Sequence, residues 1–125
     1  MMPDTLLYLK PNVTLNFTDA KAYCSKIPGH RLSIYKKMDQ WRAISAKMDN
    51  NEPYWVVDLQ KQDDNTAIWG DGTLYKDTEI GQNLPLQNAY SIARIYIFFN
   101  GTLDDGVSYR MRRFFCQANP FGVDW

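Results

Sequence analysis

The sequence predicts an α+β fold for this chain of 125 residues. Apolar residues recur at helical spacing in two segments of the first 48 residues, and β-branched and aromatic runs follow from residue 54. Residues 73–86 show no period, which predicts a long loop. Helices first and strands later are typical of the α+β class, and the length suits a single domain, residues 1–125, with its own core.

A short strand and a helix are predicted near the N-terminus. The strand covers residues 6–9. Thr18 is the predicted N-cap of the first helix, and Ala20, Cys24 and Ile27 recur on one helical face until a Pro-Gly pair ends it. This spacing directs Cys24 toward the core.

A second helix is predicted over residues 38–48, where Trp41, Ile44 and Met48 form an apolar stripe. We expect these side chains in the core. Residues 54–59 then form a strand because β-branched and aromatic residues dominate them.

The second half of the chain is a series of short elements. In order they are a polar turn at 60–65, a strand at 67–69, a glycine turn at 70–72, the loop at 73–86, a strand at 90–99, an acidic turn at 103–106 and a strand at 111–116. A loop as long as 73–86 inside a small domain is usually functional or mobile.

Charge argues against nucleic acid as a partner, and hydropathy argues against a membrane-spanning segment. Fourteen Lys and Arg balance fourteen Asp and Glu, so no global field attracts nucleic acid. No apolar run reaches the length of a transmembrane segment. Three Asn-X-Ser/Thr sequons, at Asn12, Asn16 and Asn100, are candidates for glycosylation and favour an extracellular location.

Side chains suited to catalysis are scarce. The single histidine, His30, has no serine or cysteine motif beside it to activate. The two cysteines, Cys24 and Cys116, are either a disulfide pair or two buried thiols. Two Cys and one His cannot complete a four-ligand zinc site without carboxylates. We therefore expect no catalytic residue and no enzyme.

Five motifs in a fixed order resemble those of the C-type lectin-like domain. They are FTDAKAYC at 17–24, GHRL at 29–32, YWVVDL at 54–59, WGDGT at 69–73 and RFFC at 113–116. The resemblance extends over residues 6–118, although each motif alone is weak. It implies two helices, two small antiparallel sheets, a long irregular loop, and a disulfide between Cys24 and Cys116.

The chain departs from the pattern of this family in its covalent frame and in its core. The family's second disulfide would fall at Ala89 and Ser108, so the upper loop lacks that link. Asp58 stands where the family usually has glycine, and a buried carboxylate is costly without a partner. We expect a Lys or Arg beside Asp58, or a local bend that exposes it.

A third departure concerns calcium, which members of this family bind through oxygens of the long loop and the following strand. The strand keeps Asp104 and Asp105, but the loop offers Leu84-Pro85-Leu86, which has no side-chain oxygen. We therefore expect no calcium and no other cofactor. The alternative is an atypical calcium site at Asp104 and Asp105; otherwise these are two solvated acids in a turn.

Two groups of residues are candidates for ligand binding. The loop residues are Tyr75, Ile80, Leu84 and Leu86. They form either an exposed patch that anchors a partner or a satellite core. The strand residues are Arg110 and Arg112, whose guanidinium groups suit an anionic glycan or an acidic partner. The simpler alternative for the arginines is a strand protected by charge from edge pairing.

The resemblance and these departures predict an extracellular or cell-surface module that recognises a protein partner without calcium, within a receptor, an adhesion protein or a secreted protein. One alternative is a carbohydrate-binding lectin domain that holds an anionic glycan through the arginines or uses the atypical calcium site. A purely structural domain is a third. In each case we expect a domain excised from a larger extracellular protein.

Overall fold

The computed structural model describes residues 6–47, 54–63, 66–87, 94–99, 102–106 and 110–119. Within these ranges the helices are α1 (Phe17–Lys26), α2 (Met38–Ser45) and α3 (Glu79–Asn83), and a 3-10 turn covers Tyr75–Asp77. The strands are β1 (Leu7–Leu9), β2 (His30–Leu32), β3 (Tyr54–Asp63), β4 (Thr66–Trp69), β5 (Leu86–Gln87), β6 (Ile95–Phe99), β7 (Thr102–Gly106), β8 (Arg113–Phe114) and β9 (Cys116–Ala118). This arrangement confirms the α+β class. No helix in these ranges is long and apolar enough to cross a membrane.

The strands form two sheets. In the smaller sheet β9 lies between β1 and β2 and is antiparallel to both. The larger sheet has the order β4-β3-β6-β7-β5, with β8 beside β3. This sheet is mixed, not antiparallel as the resemblance implied, because β3 pairs with β8 and β5 pairs with β7 in parallel. Each parallel pair joins strands that are distant in the chain, where no tight hairpin imposes the antiparallel direction.

Strand β3 contributes to both halves of the core. Trp55 and Val57 lie in the larger cluster of buried side chains, whereas Val56 lies in a second cluster that contains the cysteines. Successive side chains of a strand point to opposite faces, so one strand can serve two clusters. Full burial of an apolar side chain of this size contributes about 1.5–3 kcal/mol. We infer that β3 is the central element of the fold.

Helix α1 begins two residues earlier than its predicted start. Asn16, not Thr18, is the N-cap, and its side chain accepts a hydrogen bond from the backbone N–H of Asp19 at 2.8 Å. Both residue types suit this role, so sequence pattern alone did not separate them. The inward face is as predicted, because Cys24 is fully buried and forms a disulfide with Cys116 of β9.

Helix α2 buries Trp41 and Ile44 as predicted but ends at Ser45, and Met48 lies outside the described residues. The polar turn predicted at 60–65 was wrong in its first part, because β3 continues through Asp63. Pairing with β4 supplies the backbone hydrogen bonds that hold these polar residues in an extended strand.

Three predictions for the later part of the chain also change. The predicted acidic turn at 103–106 belongs to strand β7, which pairs with β6 along its whole length. The predicted loop at 73–86 contains the 3-10 turn, helix α3 and the start of β5. The strand predicted at 111–116 is two short strands, because β8 and β9 pair in different sheets. Of the strand predicted at 90–99, the described part contains β6.

Candidate functional site

Asp58 is 1% exposed and lies beside two basic side chains. Its carboxylate accepts a hydrogen bond from Lys21 Nζ at 3.2 Å and lies 4.0 Å from Arg31 Nη2. Burial nevertheless raises the pKa of Asp58 above its ordinary value, because lost solvation outweighs the attraction of the two cations. The expected basic partner is therefore present, and it connects α1 to β3.

Gly70 of the WGDGT motif lies directly against Asp58. Its backbone N–H donates to the Asp58 carbonyl oxygen at 2.9 Å. A Cβ atom at Gly70 would overlap the Asp58 carboxylate, so the close approach requires glycine. The space between Gly70 and the Asp58 carboxylate is therefore already filled.

The segment 75–87 folds onto the core. Tyr75 is 4% exposed and Ile80 is 0% exposed. The Tyr75 hydroxyl donates to the Leu84 carbonyl oxygen at 2.6 Å, and burial raises the pKa of that hydroxyl. Tyr75 and Ile80 are therefore neither an exposed patch nor a satellite core, because both belong to the larger core cluster. Leu84 and Leu86 pack against the core but remain partly exposed.

The acidic residues of β7 have separate environments. The Asp105 carboxylate lies 2.8 Å from Lys61 Nζ, and the two side chains are 1% and 4% exposed. Asp104 is half-buried, and its Oδ1 accepts a hydrogen bond from the Thr102 hydroxyl at 2.6 Å. The interpretation of both as solvated acids is wrong for Asp105, since strand alternation turns it inward.

A calcium ion at these residues would have to compete with the contacts that they already make. Calcium needs six to eight oxygens at about 2.3–2.6 Å. Strand β5 brings Leu86 and Gln87 opposite Leu103 and Asp104 of β7, and of these two only Gln87 has a side-chain oxygen. The segment Leu84-Pro85-Leu86 has none, and Asp105 already binds the ammonium group of Lys61. Among the described residues, no cluster of three His, Cys, Asp or Glu side chains could hold a metal.

Sequence reasoning missed Lys61, although a signal was present. Lys61 continues the odd-numbered series of Trp55, Val57 and Leu59, which all lie in the larger core cluster. Once β3 is known to extend past residue 60, alternation places Lys61 on the same inward side. Treating residues 60–65 as a turn concealed this.

Arg110 and Arg112 lie on a different part of the surface. Arg110 is exposed, and the Arg112 guanidinium lies 4.5 Å from the centre of the Tyr54 ring. Burial and the neighbouring charge of Arg110 lower the pKa of Arg112. Tyr54 is 43% exposed and Met111 is 64% exposed. Sequence reasoning also missed Tyr54 and Met111, because strand patterns predict burial poorly at strand ends.

The glycosylation candidates differ in accessibility. Asn12 is exposed, and its amide oxygen accepts a hydrogen bond from Arg113 at 3.3 Å. Asn16 is half-buried and serves as the N-cap of α1. Asn100 lies outside the described residues, as do Ala89 and Ser108, the positions of the family's second disulfide.

No protein-family model matches the sequence, and no curated protein matches it either. Solved structures do match. A C-type lectin, TC14 from the tunicate Polyandrocarpa misakiensis, superposes with a TM-score of 0.72 at 21% identity, covering 95% of this chain and 99% of that chain. The C-type lectin domain of murine dendritic cell inhibitory receptor 2, solved with N-glycan, gives 0.73 at 13% identity, covering 92% and 91%.

A third similar structure is the natural killer cell receptor Ly49C, with a TM-score of 0.70 at 10% identity, covering 100% of this chain and 94% of that chain. The chain therefore has the C-type lectin-like fold that its motifs predicted. At these identities the likeness establishes the fold alone, so the function has to be argued from the side chains.

Proposed function

We propose that this chain is an extracellular recognition module that binds a protein partner without calcium. The observation that carries the proposal is the buried ion pair between Lys61 and Asp105, whose nitrogen and oxygen atoms lie 2.8 Å apart. A cation entering this place would have to compete with the lysine ammonium group for the same carboxylate.

A calcium ion is at a disadvantage in competing with the Lys61 ammonium group for the Asp105 carboxylate. Moving a buried ammonium group away from its carboxylate costs several kcal/mol. The ion would regain little, because the segment Leu84-Pro85-Leu86 has no side-chain oxygen and β5 offers only that of Gln87. Asp104 already accepts a hydrogen bond from the Thr102 hydroxyl. Lys61 therefore supplies the positive charge that balances Asp105, and a recognition mechanism bridged by calcium has no support here.

The disulfide supports the proposed extracellular location. The Cys24–Cys116 disulfide is of a kind that persists in oxidising compartments and is rare in the cytosol. The exposed sequon at Asn12 suits the same location. Two of the similar structures are receptors, which supports a cell-surface or secreted recognition role over an enzymatic one.

Thermal melting with calcium tests the proposal. A site that binds only the native state adds about 2.7 kcal/mol of stability when calcium is at one hundred times its Kd. We expect no change in melting temperature between EDTA and 10 mM calcium, about one hundred times a Kd of 0.1 mM. Magnesium at the same ionic strength is the control. A rise of several degrees specific to calcium would contradict calcium-independent binding.

A second candidate function is recognition of an anionic glycan. The favouring observation is the pair Arg110 and Arg112, whose guanidinium groups match sulfate and carboxylate. An array of sulfated and sialylated glycans, read in EDTA, tests this alternative. Binding that disappears in Arg110→Ala and Arg112→Ala would favour it over a protein partner.

A further inference from the structure

Arg112 covers the Tyr54 ring and feels the charge of Arg110, and Met111 adjoins both arginines in the chain; we call these four residues the arginine face. Met111 is 64% exposed, more than any other large apolar side chain of the described residues, and Tyr54 is 43% exposed. Tyr, Met and Arg are enriched in protein interfaces. Exposed apolar residues that have no such role are usually scattered singly over the surface.

Two members of the arginine face, Tyr54 and Arg112, make contacts that hold them in place before any ligand arrives. Arg112 exchanges two backbone hydrogen bonds with Leu15, at 3.0 and 2.9 Å. The Tyr54 ring stacks on Phe99 with centroids 4.6 Å apart, and the Arg112 guanidinium covers the Tyr54 ring. A side chain that is already ordered loses little entropy on binding, so this arrangement favours affinity.

The Arg112 guanidinium is short of an anion. It is half-buried, and its Nε has no hydrogen-bond partner within the described part of the chain. The ion pairs found among the described residues include neither Arg110 nor Arg112, and the two cations repel each other. A partly desolvated cation gains more from a carboxylate than a fully hydrated one does, because less water has to be removed.

We propose that the arginine face binds a protein segment that presents a carboxylate beside an apolar side chain. The carboxylate would accept paired hydrogen bonds from Arg112, as guanidinium and carboxylate groups do, with Arg110 adding attraction. The apolar side chain would cover Met111 and the open edge of Tyr54. This inference rests on the function proposed above and names the chemistry of the partner and its place.

An anionic glycan fits the arginine face less well. The aromatic surface in contact with Arg112 is Tyr54, 43% exposed, and Met111, 64% exposed, adjoins both arginines in the chain, so a sulfated chain covered with hydroxyl groups would leave this apolar surface unmatched. Arg113, the next cation, already donates to Asn12. A protein segment can pair a carboxylate with Arg112 and pack an apolar side chain on the exposed apolar surface.

The test uses a phage library of random 12-residue peptides selected against the whole chain in EDTA. We expect the recovered peptides to carry Asp or Glu next to Leu, Phe, Tyr or Trp. Their Kd should rise about tenfold or more in Arg112→Gln, the range for a lost charged hydrogen bond, and should also rise in Met111→Ser. Arg42→Gln, at an arginine that is 69% exposed on α2, is the control and should bind as the unmodified chain does.

Melting temperatures of the variants check that each still folds. Recovery of no acidic peptide, or equal binding by Arg112→Gln, overturns the proposal. Sulfated heparin oligosaccharides that bind through Arg112 while no peptide does would assign the arginine face to glycans instead. Sedimentation showing a dimer that Arg112→Gln dissociates would assign it to a second copy of this chain. The calcium melt involves none of these residues, so the two proposals can fail separately.

Discussion

Lys61→Met removes the cation from the buried pair and leaves Asp105 as a charge inside the molecule. Methionine has nearly the volume of lysine, so the change tests charge and not packing. Both side chains are almost inaccessible, at 4% and 1% exposure, and solvent cannot replace the lost ammonium group. The variant should therefore be strongly destabilised at neutral pH.

The expected loss follows from this burial. Breaking a buried ion pair by removing one member costs about 3–5 kcal/mol. The unfolding entropy of a domain of this size is about 0.26 kcal/mol/K, at roughly 2.1 cal/mol/K per residue. A loss of 4 kcal/mol then lowers the melting temperature by about 15 °C. Lys76→Met, at an exposed lysine, should stay within about 0.5 kcal/mol of the unmodified chain.

The assay is thermal and urea unfolding of the single variant, the control and the pair Lys61→Met with Asp105→Val. Replacing a whole buried pair by apolar residues is often neutral, so the pair variant should recover to within about 1–2 kcal/mol of the unmodified chain. The reasoning fails if Lys61→Met costs less than about 1 kcal/mol. It also fails if the pair variant is no more stable than the single one.

Three further predictions concern the frame and the Asp58 corner. Reducing the Cys24–Cys116 bond, which spans 92 residues, should lower the free energy of unfolding by about 4.6 kcal/mol. Urea curves that coincide with and without reductant would contradict this. Gly70→Ala should cost about 1–3 kcal/mol in thermal melts, because the added Cβ overlaps the Asp58 carboxylate, and an unchanged melt would show that the corner has room. Burial raises the folded-state pKa of Asp58, so its contribution to stability is present at low pH and is lost as the pH rises through that pKa. Asp58→Asn should thus gain stability relative to the unmodified chain as the pH rises above 3.8, the ordinary pKa of aspartate, and the opposite trend in urea titrations would refute the sign.

Local patterns and motif order predicted the frame of this fold. Cys24 lies inward on α1 because helical spacing with Ala20 requires it, and the disulfide followed from the motifs around it. A Lys or Arg beside Asp58 was one of the two expected outcomes, because a carboxylate must be either compensated or exposed to solvent.

Features that depend on distant pairs could not be predicted. Lys61 and Asp105 are 44 positions apart, and although alternation along β3 can place Lys61 inward, nothing in the sequence identifies Asp105 as its partner. Ile80 belongs to a helix of five residues that no periodicity would reveal, and its burial depends on tertiary contacts around α3. The exposure of Tyr54 could not be predicted either, because the aromatic and β-branched residues of its strand are typical of a core strand.

Tension applied across this domain would reach β9 first, because Leu7 of β1 pairs with Ala118 at the end of β9. The two strands are antiparallel, so a pull on these two ends opens their hydrogen bonds one after another instead of shearing them together. The disulfide then stops the opening, since residues between Cys24 and Cys116 are enclosed in a covalent loop. The larger sheet lies wholly within that loop, and its strands keep their pairing while the ends carry load.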